Sequence, residues 1–109
     1  MMTDRLRLDG QVALVTGGGG GIGRAIALSL AQAGANVAVV DIIPERCDEA
    51  VGTIRAMGRQ ALPLPCDVMD SDALRAAIAE TDRRFGRIDI LVNNAGGVSA
   101  RPFLDQSER

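Results

Sequence analysis

The sequence predicts an α/β fold, half of a doubly wound parallel sheet, and three observations carry that reading. Strand-sized apolar runs alternate with helical patterns at a period of roughly 25 residues, the rhythm of βα units. A glycine-rich stretch, Gly17 to Gly21 with Gly23, separates the first apolar run from the first helical pattern. Gly34, Gly58 and Gly86 then close the three helical patterns, as glycine does just past a helix C-terminus.

The elements follow in order. Gln11-Val-Ala-Leu-Val-Thr16 is short, apolar and rich in Val, which reads as a strand buried on both faces. From Ile22 to Ala33 the apolar side chains Ile22, Ile26, Ala27, Leu30 and Ala31 recur at helical spacing. Asn36-Val-Ala-Val-Val-Asp41 is the second strand, and Pro44 opens the second helix, which runs to about Met57. Glu45 suits the positive end of that helix. Gln60 to Cys66 is extended, and Pro63 and Pro65 mark it as an edge strand, since proline cannot donate to a ladder. Asp70, Ser71 and Asp72 supply caps for a third helix with Leu74, Ala77, Ile78 and Phe85 on one face. Arg83 and Arg84 fit its negative end. Ile88 to Val92 is the fourth strand. The resulting β-α-β-α-β-α-β pattern predicts strand order 3-2-1-4.

Composition narrows the function classes. At 109 residues, 47% hydrophobic and 24% charged, the chain is one globular domain at most. A net charge of −2 leaves no basic surface for nucleic acid. No apolar run approaches the length of a membrane span, and none follows Arg5 and Arg7 as a secretory signal would require. The expectation is therefore a cytoplasmic protein with no membrane or nucleic-acid partner. Cys47 and Cys66 lie far apart in a chain without His, so no metal site is expected and both read as reduced thiols.

The glycine run carries the chemistry. Glycine there allows a tight turn and lets a diphosphate approach main-chain amides at a helix N-terminus. Its spacing is degenerate. Gly18, Gly20 and Gly23 satisfy G-x-G-x-x-G, Gly17, Gly20 and Gly23 satisfy G-x-x-G-x-x-G, and Gly17, Gly21 and Gly23 satisfy G-x-x-x-G-x-G. Spacing alone leaves the three open. Asp41 ends the second strand 18 residues after Gly23, near the interval of ~20 expected for an acid that binds the adenosine ribose. A carboxylate accepting ribose hydroxyls contributes on the order of 1.5–3 kcal/mol. It also repels a 2′-phosphate, and Ile42 offers no cation to offset it, so the reading favours NAD over NADP. Asp67-Val68 after the third strand would pass in isolation for a turn approaching a helix. Asn93-Asn94-Ala95-Gly96 after the fourth is more specific, pairing side chains that can hold neighbouring backbone with room for a ligand.

Thr16-Gly17-xxx-Gly21-Ile22-Gly23, Asp41, Asp67-Val68 and Asn93-Asn94-Ala95-Gly96 occur in the order seen in short-chain dehydrogenases/reductases, and the chain resembles that family from about Leu8 to Phe103. It is most similar to the branch with G-x-x-x-G-x-G spacing, which includes 3-oxoacyl-carrier-protein reductases. The resemblance implies a partial Rossmann-type sheet and selects Gly17, Gly21 and Gly23, with Gly20 and Ile22 beside them, as the diphosphate loop. It implies that Asp67 and Val68 flank the adenine, that Asn94, Ala95 and Gly96 line the adenosine side, and that Asn93 fixes the strand.

The family's catalytic Ser and its Tyr-x-x-x-Lys pair have no counterparts here. The chain holds no Tyr, and every one of its 12 basic residues is Arg. Ser99 and Ser107 fall too early, so no catalytic residue is assigned. The tail Arg101 to Arg109 resembles the start of the family's fourth helix. The expectation is thus residues 1–109 as the NAD-binding N-terminal half of a Rossmann domain, without the catalytic half. The complete enzyme would be an NAD-linked oxidoreductase acting on an alcohol or ketone, and by resemblance a homo-oligomer. A non-catalytic nucleotide-binding module and a truncated remnant are the alternatives. A half domain would also leave the outer edge of the fourth strand bare and apolar faces uncovered, which predicts poor solubility.

Overall fold

The computed structural model describes residues 7–94. Strands β1 (Val12–Thr16), β2 (Asn36–Asp41), β3 (Ala61–Pro65) and β4 (Ile90–Asn93) alternate with helices α1 (Gly21–Gln32), α2 (Pro44–Ala56) and α3 (Ser71–Phe85). The four strands form one parallel sheet in the order β3-β2-β1-β4, as the sequence predicts. It is a Rossmann-type sheet, and its strand order reverses between β1 and β4. That reversal opens a crevice outside the carboxyl ends of the strands, where ligands of such sheets bind.

Successive strand side chains point to opposite faces, and the apolar runs are continuous because both faces are covered. Val15, Val37, Val39 and Ala61 pack with Ala27 and Ala31 of α1 and Cys47, Ala50, Val51 and Ile54 of α2. Leu14, Ala38, Val40 and Leu62 pack on the other face with Ala77 of α3, joined by the half-buried Ile78, Phe85 and Ile88. Thus α1 and α2 cover one face and α3 the other.

Several boundaries move from those the sequence suggests. The first helix starts at Gly21 rather than Ile22 and ends at Gln32, while β3 is confined to Ala61–Pro65 at the sheet edge. The fourth strand is Ile90–Asn93 rather than Ile88 to Val92. Ile88 is spent on the core beneath α3, and Asn93 continues the ladder opposite Thr16. On α3 the buried positions are Ala77 and Thr81, with Leu74 only half-buried. Thr81 is admitted because its hydroxyl donates to the Ala77 carbonyl at 2.8 Å, leaving no unmet polar group. Among the described residues β4 pairs on one side only and is half-buried throughout, whereas β1 is buried along its whole length. Among the described residues no helix is long and apolar enough to cross a membrane.

Candidate functional site

All four strands end at the same edge of the sheet, and each end contributes to one site. Gly17 follows β1, Asp41 ends β2, Cys66 and Asp67 follow β3, and Asn94 follows β4. A cavity of about 220 Å³ is lined by Gly17, Asp41, Ile42, Cys66, Asp67, Val68 and Met69. Residues separated by half the chain thus share one wall.

Backbone geometry distinguishes among the glycines of the run. Gly17 (φ 65°) and Gly21 (φ 55°) adopt left-handed conformations that strain any other residue. Gly23 is constrained by space: a Cβ there would lie 2.0 Å from the Gly17 carbonyl oxygen and 2.8 Å from Nδ2 of Asn94. These are the three glycines of the G-x-x-x-G-x-G spacing. Gly20, with φ −152°, is ordinary extended backbone, and a Cβ on it would meet only the far end of Arg46. Gly19, not singled out from the sequence, is also confined, though less tightly than Gly23. A Cβ there would lie 2.6 Å from the Arg46 Cβ and 2.9 Å from its carbonyl carbon. No pattern in the sequence signals this, because the neighbour comes from another helix.

Gly20 caps α1 without any side-chain hydrogen bond. The amides of the first helical turn are left without intrahelical partners, at the positive end of the helix dipole that follows the glycine loop. Ile22 stands exposed on that turn, 74% accessible. Ile42 and Met69 are exposed at the cavity rim, at 63% and 83%. Ile42 and Met69, large apolar side chains left in solvent where they line the cavity, are suited to cover an apolar ligand surface.

Asp41 is 7% exposed. One carboxylate oxygen accepts the Gly19 amide at 3.2 Å and the other accepts the Ile43 amide at 3.0 Å. These bonds hold the carboxylate rigidly against the loop, while its place in the cavity wall leaves lone pairs available to a ligand. Beneath it, the Cys47 thiol donates to the Asp41 carbonyl at 3.7 Å. Burial, with the Asp41 charge next, pushes that thiol up to about 11. Burial followed by the charges of Asp67 and Asp70 also raises the Cys66 thiol. Asp67 is exposed and its carboxylate accepts the Met69 amide at 2.9 Å, fixing the turn that carries Val68 to the cavity.

Thr16 ties the two sides of the crevice. Its hydroxyl lies 3.2 Å from the Val92 carbonyl and 3.3 Å from Oδ1 of Asn93, either of which can take its proton, and it accepts the Asn94 amide at 2.9 Å. Asn93 therefore contributes to fixing the strand end, and Asn94 is set beside Gly17 and Gly23. Ala95, Gly96 and the tail from Arg101 to Arg109 lie outside the described residues.

Comparison with known proteins agrees with this geometry. The family model for short chain dehydrogenases matches residues 11–109. The chain is 44% identical over 101 residues to 7alpha-hydroxysteroid dehydrogenase of Escherichia coli, covering 93% of this chain and 40% of that protein. It is 45% identical over 100 residues to 2,3-dihydro-2,3-dihydroxybenzoate dehydrogenase of Bacillus subtilis, covering 92% and 38%. Among solved structures, a 7α-hydroxysteroid dehydrogenase complexed with NADH and 7-oxo glycochenodeoxycholic acid superposes with TM-score 0.83 at 44% identity, over 93% of this chain and 40% of that one. An NAD⁺-bound xylitol dehydrogenase superposes with TM-score 0.74 at 40% identity, over 76% and 32%. The chain spans about two-fifths of the length of the curated relatives it matches. Sequence, sheet topology and site geometry agree: the chain belongs to the short-chain dehydrogenase family.

Proposed function

We propose that this chain is the NAD-binding portion of an oxidoreductase that moves hydride between NAD and an alcohol or ketone carbon. The observation that carries the reading is the convergence of Gly17, Asp41, Asp67 and Val68 on one cavity, next to an uncapped helix N-terminus at the reversal point of the sheet. The residues fit a dinucleotide on their own chemistry. Gly17, Gly20, Gly21, Ile22 and Gly23 form a side-chain-poor cradle that presents amides to a diphosphate. Asp41, preoriented by two amides, accepts the hydroxyls of the adenosine ribose and disfavours a 2′-phosphate, so NAD is preferred to NADP. Asp67 and Val68 bound the adenine, and Asn94, with Ala95 and Gly96 by family position, lines the adenosine side. That two relatives of known structure carry NADH or NAD⁺ supports the same cofactor here.

When bound, the nicotinamide supplies the hydride donor or acceptor. This chain's residues bind and orient it and exclude water from its diphosphate. They supply no general acid of the usual kind, since the sequence has no His, no Tyr and no Lys. We infer that the 109 residues by themselves do not turn over. The two free thiols are consistent with the cytoplasm. Calorimetric titration with NAD, alongside circular dichroism, tests the reading. Saturable binding competed by ADP-ribose is expected; a folded α/β chain that binds neither rules it out.

A further inference from the structure

Among the described residues, strand β3 has β2 on one side and no strand on the other. The register fixes which of its residues face outward. Val37 lies opposite Ala61, Val39 opposite Pro63 and Asp41 opposite Pro65. The Val37 amide donates to the Gln60 carbonyl at 3.1 Å, and the Cys66 amide donates to the Asp41 carbonyl at 2.9 Å. In a parallel pair with this slanted pattern, a residue bonds to the neighbours of the one opposite it. Gln60, Leu62, Leu64 and Cys66 therefore turn their main-chain groups toward β2, and Ala61, Pro63 and Pro65 turn theirs away. Both prolines stand on the outward side, where a missing N–H costs the ladder nothing. Of the three outward residues only Ala61 keeps an amide. Its carbonyl is already taken, accepting Nη2 of Arg55, from the last turn of α2, at 2.9 Å.

Side chains alone would make this edge attractive. Leu64, Pro65 and Cys66 border an apolar groove of about 310 Å³ with Ala73, Ala76 and Ala77 of α3. A short apolar edge strand beside an uncovered apolar groove is a template for the strand of another copy. Such a strand joins through alternating main-chain donors and acceptors. We propose that Pro63, Pro65 and Arg55 together close the β3 edge to a second copy of this chain, so that copies do not associate through this side of the sheet. The prolines remove two successive outward donors, and Arg55 occupies the outward acceptor at the start of the strand. The inference stands apart from the cofactor reading, since none of the three residues lines the cavity beside Asp41.

Amide hydrogen exchange, read residue by residue by NMR at low and high protein concentration, tests this. The native protein is compared with the triple variant Pro63→Thr/Pro65→Thr/Arg55→Gln, each checked for fold by circular dichroism. In the native protein the Ala61 amide is expected to exchange at the same rate at both concentrations. In the triple variant the amides at positions 61, 63 and 65 should slow by at least about tenfold on concentration, as copies pair along the opened edge. Rates at those positions that do not change with concentration overturn the proposal, because the opened edge then attracts no copy. Concentration-dependent protection of Ala61 in the native protein overturns it as well, because the edge then pairs despite the block. Association through β4 leaves these three amides unchanged and is not confused with pairing at β3. Should the triple variant not fold, Pro63→Thr alone restores a donor at the centre of the strand. Slowing of at least about threefold at position 63 is then expected, and its absence overturns the proposal.

Discussion

At the scale of single residues, the glycine run behaves as three different kinds of position. Gly17 and Gly21 are held by backbone conformation, Gly19 and Gly23 by the approach of other backbone, and Gly20 by neither. Gly23→Ala would drive a methyl into the Gly17 carbonyl. It is expected to weaken NAD binding by at least about tenfold and to lower the melting temperature as the loop is displaced. Gly20→Ala meets only the mobile end of Arg46 and should be the mildest change in the run; titration of the two variants side by side checks the ranking. The thiols make a second contrast. Cys47 is buried and its thiol is raised to about 11, so its protonated form is favoured by folding. The stability it contributes is present below its ordinary value of 9.0 and is lost as pH rises toward about 11. At pH 8 an alkylating reagent should label Cys66 well before Cys47, and bound NAD should slow the labelling of Cys66, which lines the cavity. Labelling of both thiols at equal rates, mapped by mass spectrometry, would contradict this.

At the scale of elements, capping separates binding from structure. Helix α3 is capped by Asp70, whose carboxylate accepts the amides of Asp72 and Ala73 at 3.0 and 3.1 Å, and Gly86 closes it. Helix α1, whose first turn follows the glycine loop, has no side-chain cap. The sequence carries the signal for the first, an Asp before a helical pattern. It carries the second only as an absence whose meaning depends on where the helix points. Entry into β4 is set by Asp89, which donates its amide to the Val12 carbonyl and accepts the Val12 amide on its carboxylate, both at 2.8 Å. The Arg87 guanidinium first, and the Val12 amide second, hold the Asp89 carboxyl below its ordinary value of 3.8. A depressed carboxylate stabilises the fold above that ordinary value, and the contribution is lost as pH falls through the folded value. Asp89→Asn should therefore flatten the acid limb of the stability curve, measured by urea unfolding between pH 6 and pH 3. An unchanged slope would mean that this contact does not couple to folding.

At the scale of the whole molecule, stability comes from a sheet covered on both faces, and its centre and edge differ. Leu14 on central β1 is fully buried, while Leu64 on edge strand β3 is half-buried. Leu14→Ala is expected to cost about 3 kcal/mol and Leu64→Ala about half as much, read from denaturant midpoints. Similar costs would contradict the central role of β1. Strand order and the existence of every element were legible in the sequence. Continuous Val-rich runs bounded by glycine have one economical solution, a parallel sheet with helices on both faces. That Gly17, Asp41 and Asn94 stand at strand ends was legible too, because local chain direction fixes what comes next. What the sequence could not decide was anything that depends on one element meeting another. The confinement of Gly19 by α2, the tie from Thr16 to β4 and the burial of Thr81 are invisible to periodicity. Local propensity and pattern act within an element, whereas these contacts exist only once packing has brought distant segments together.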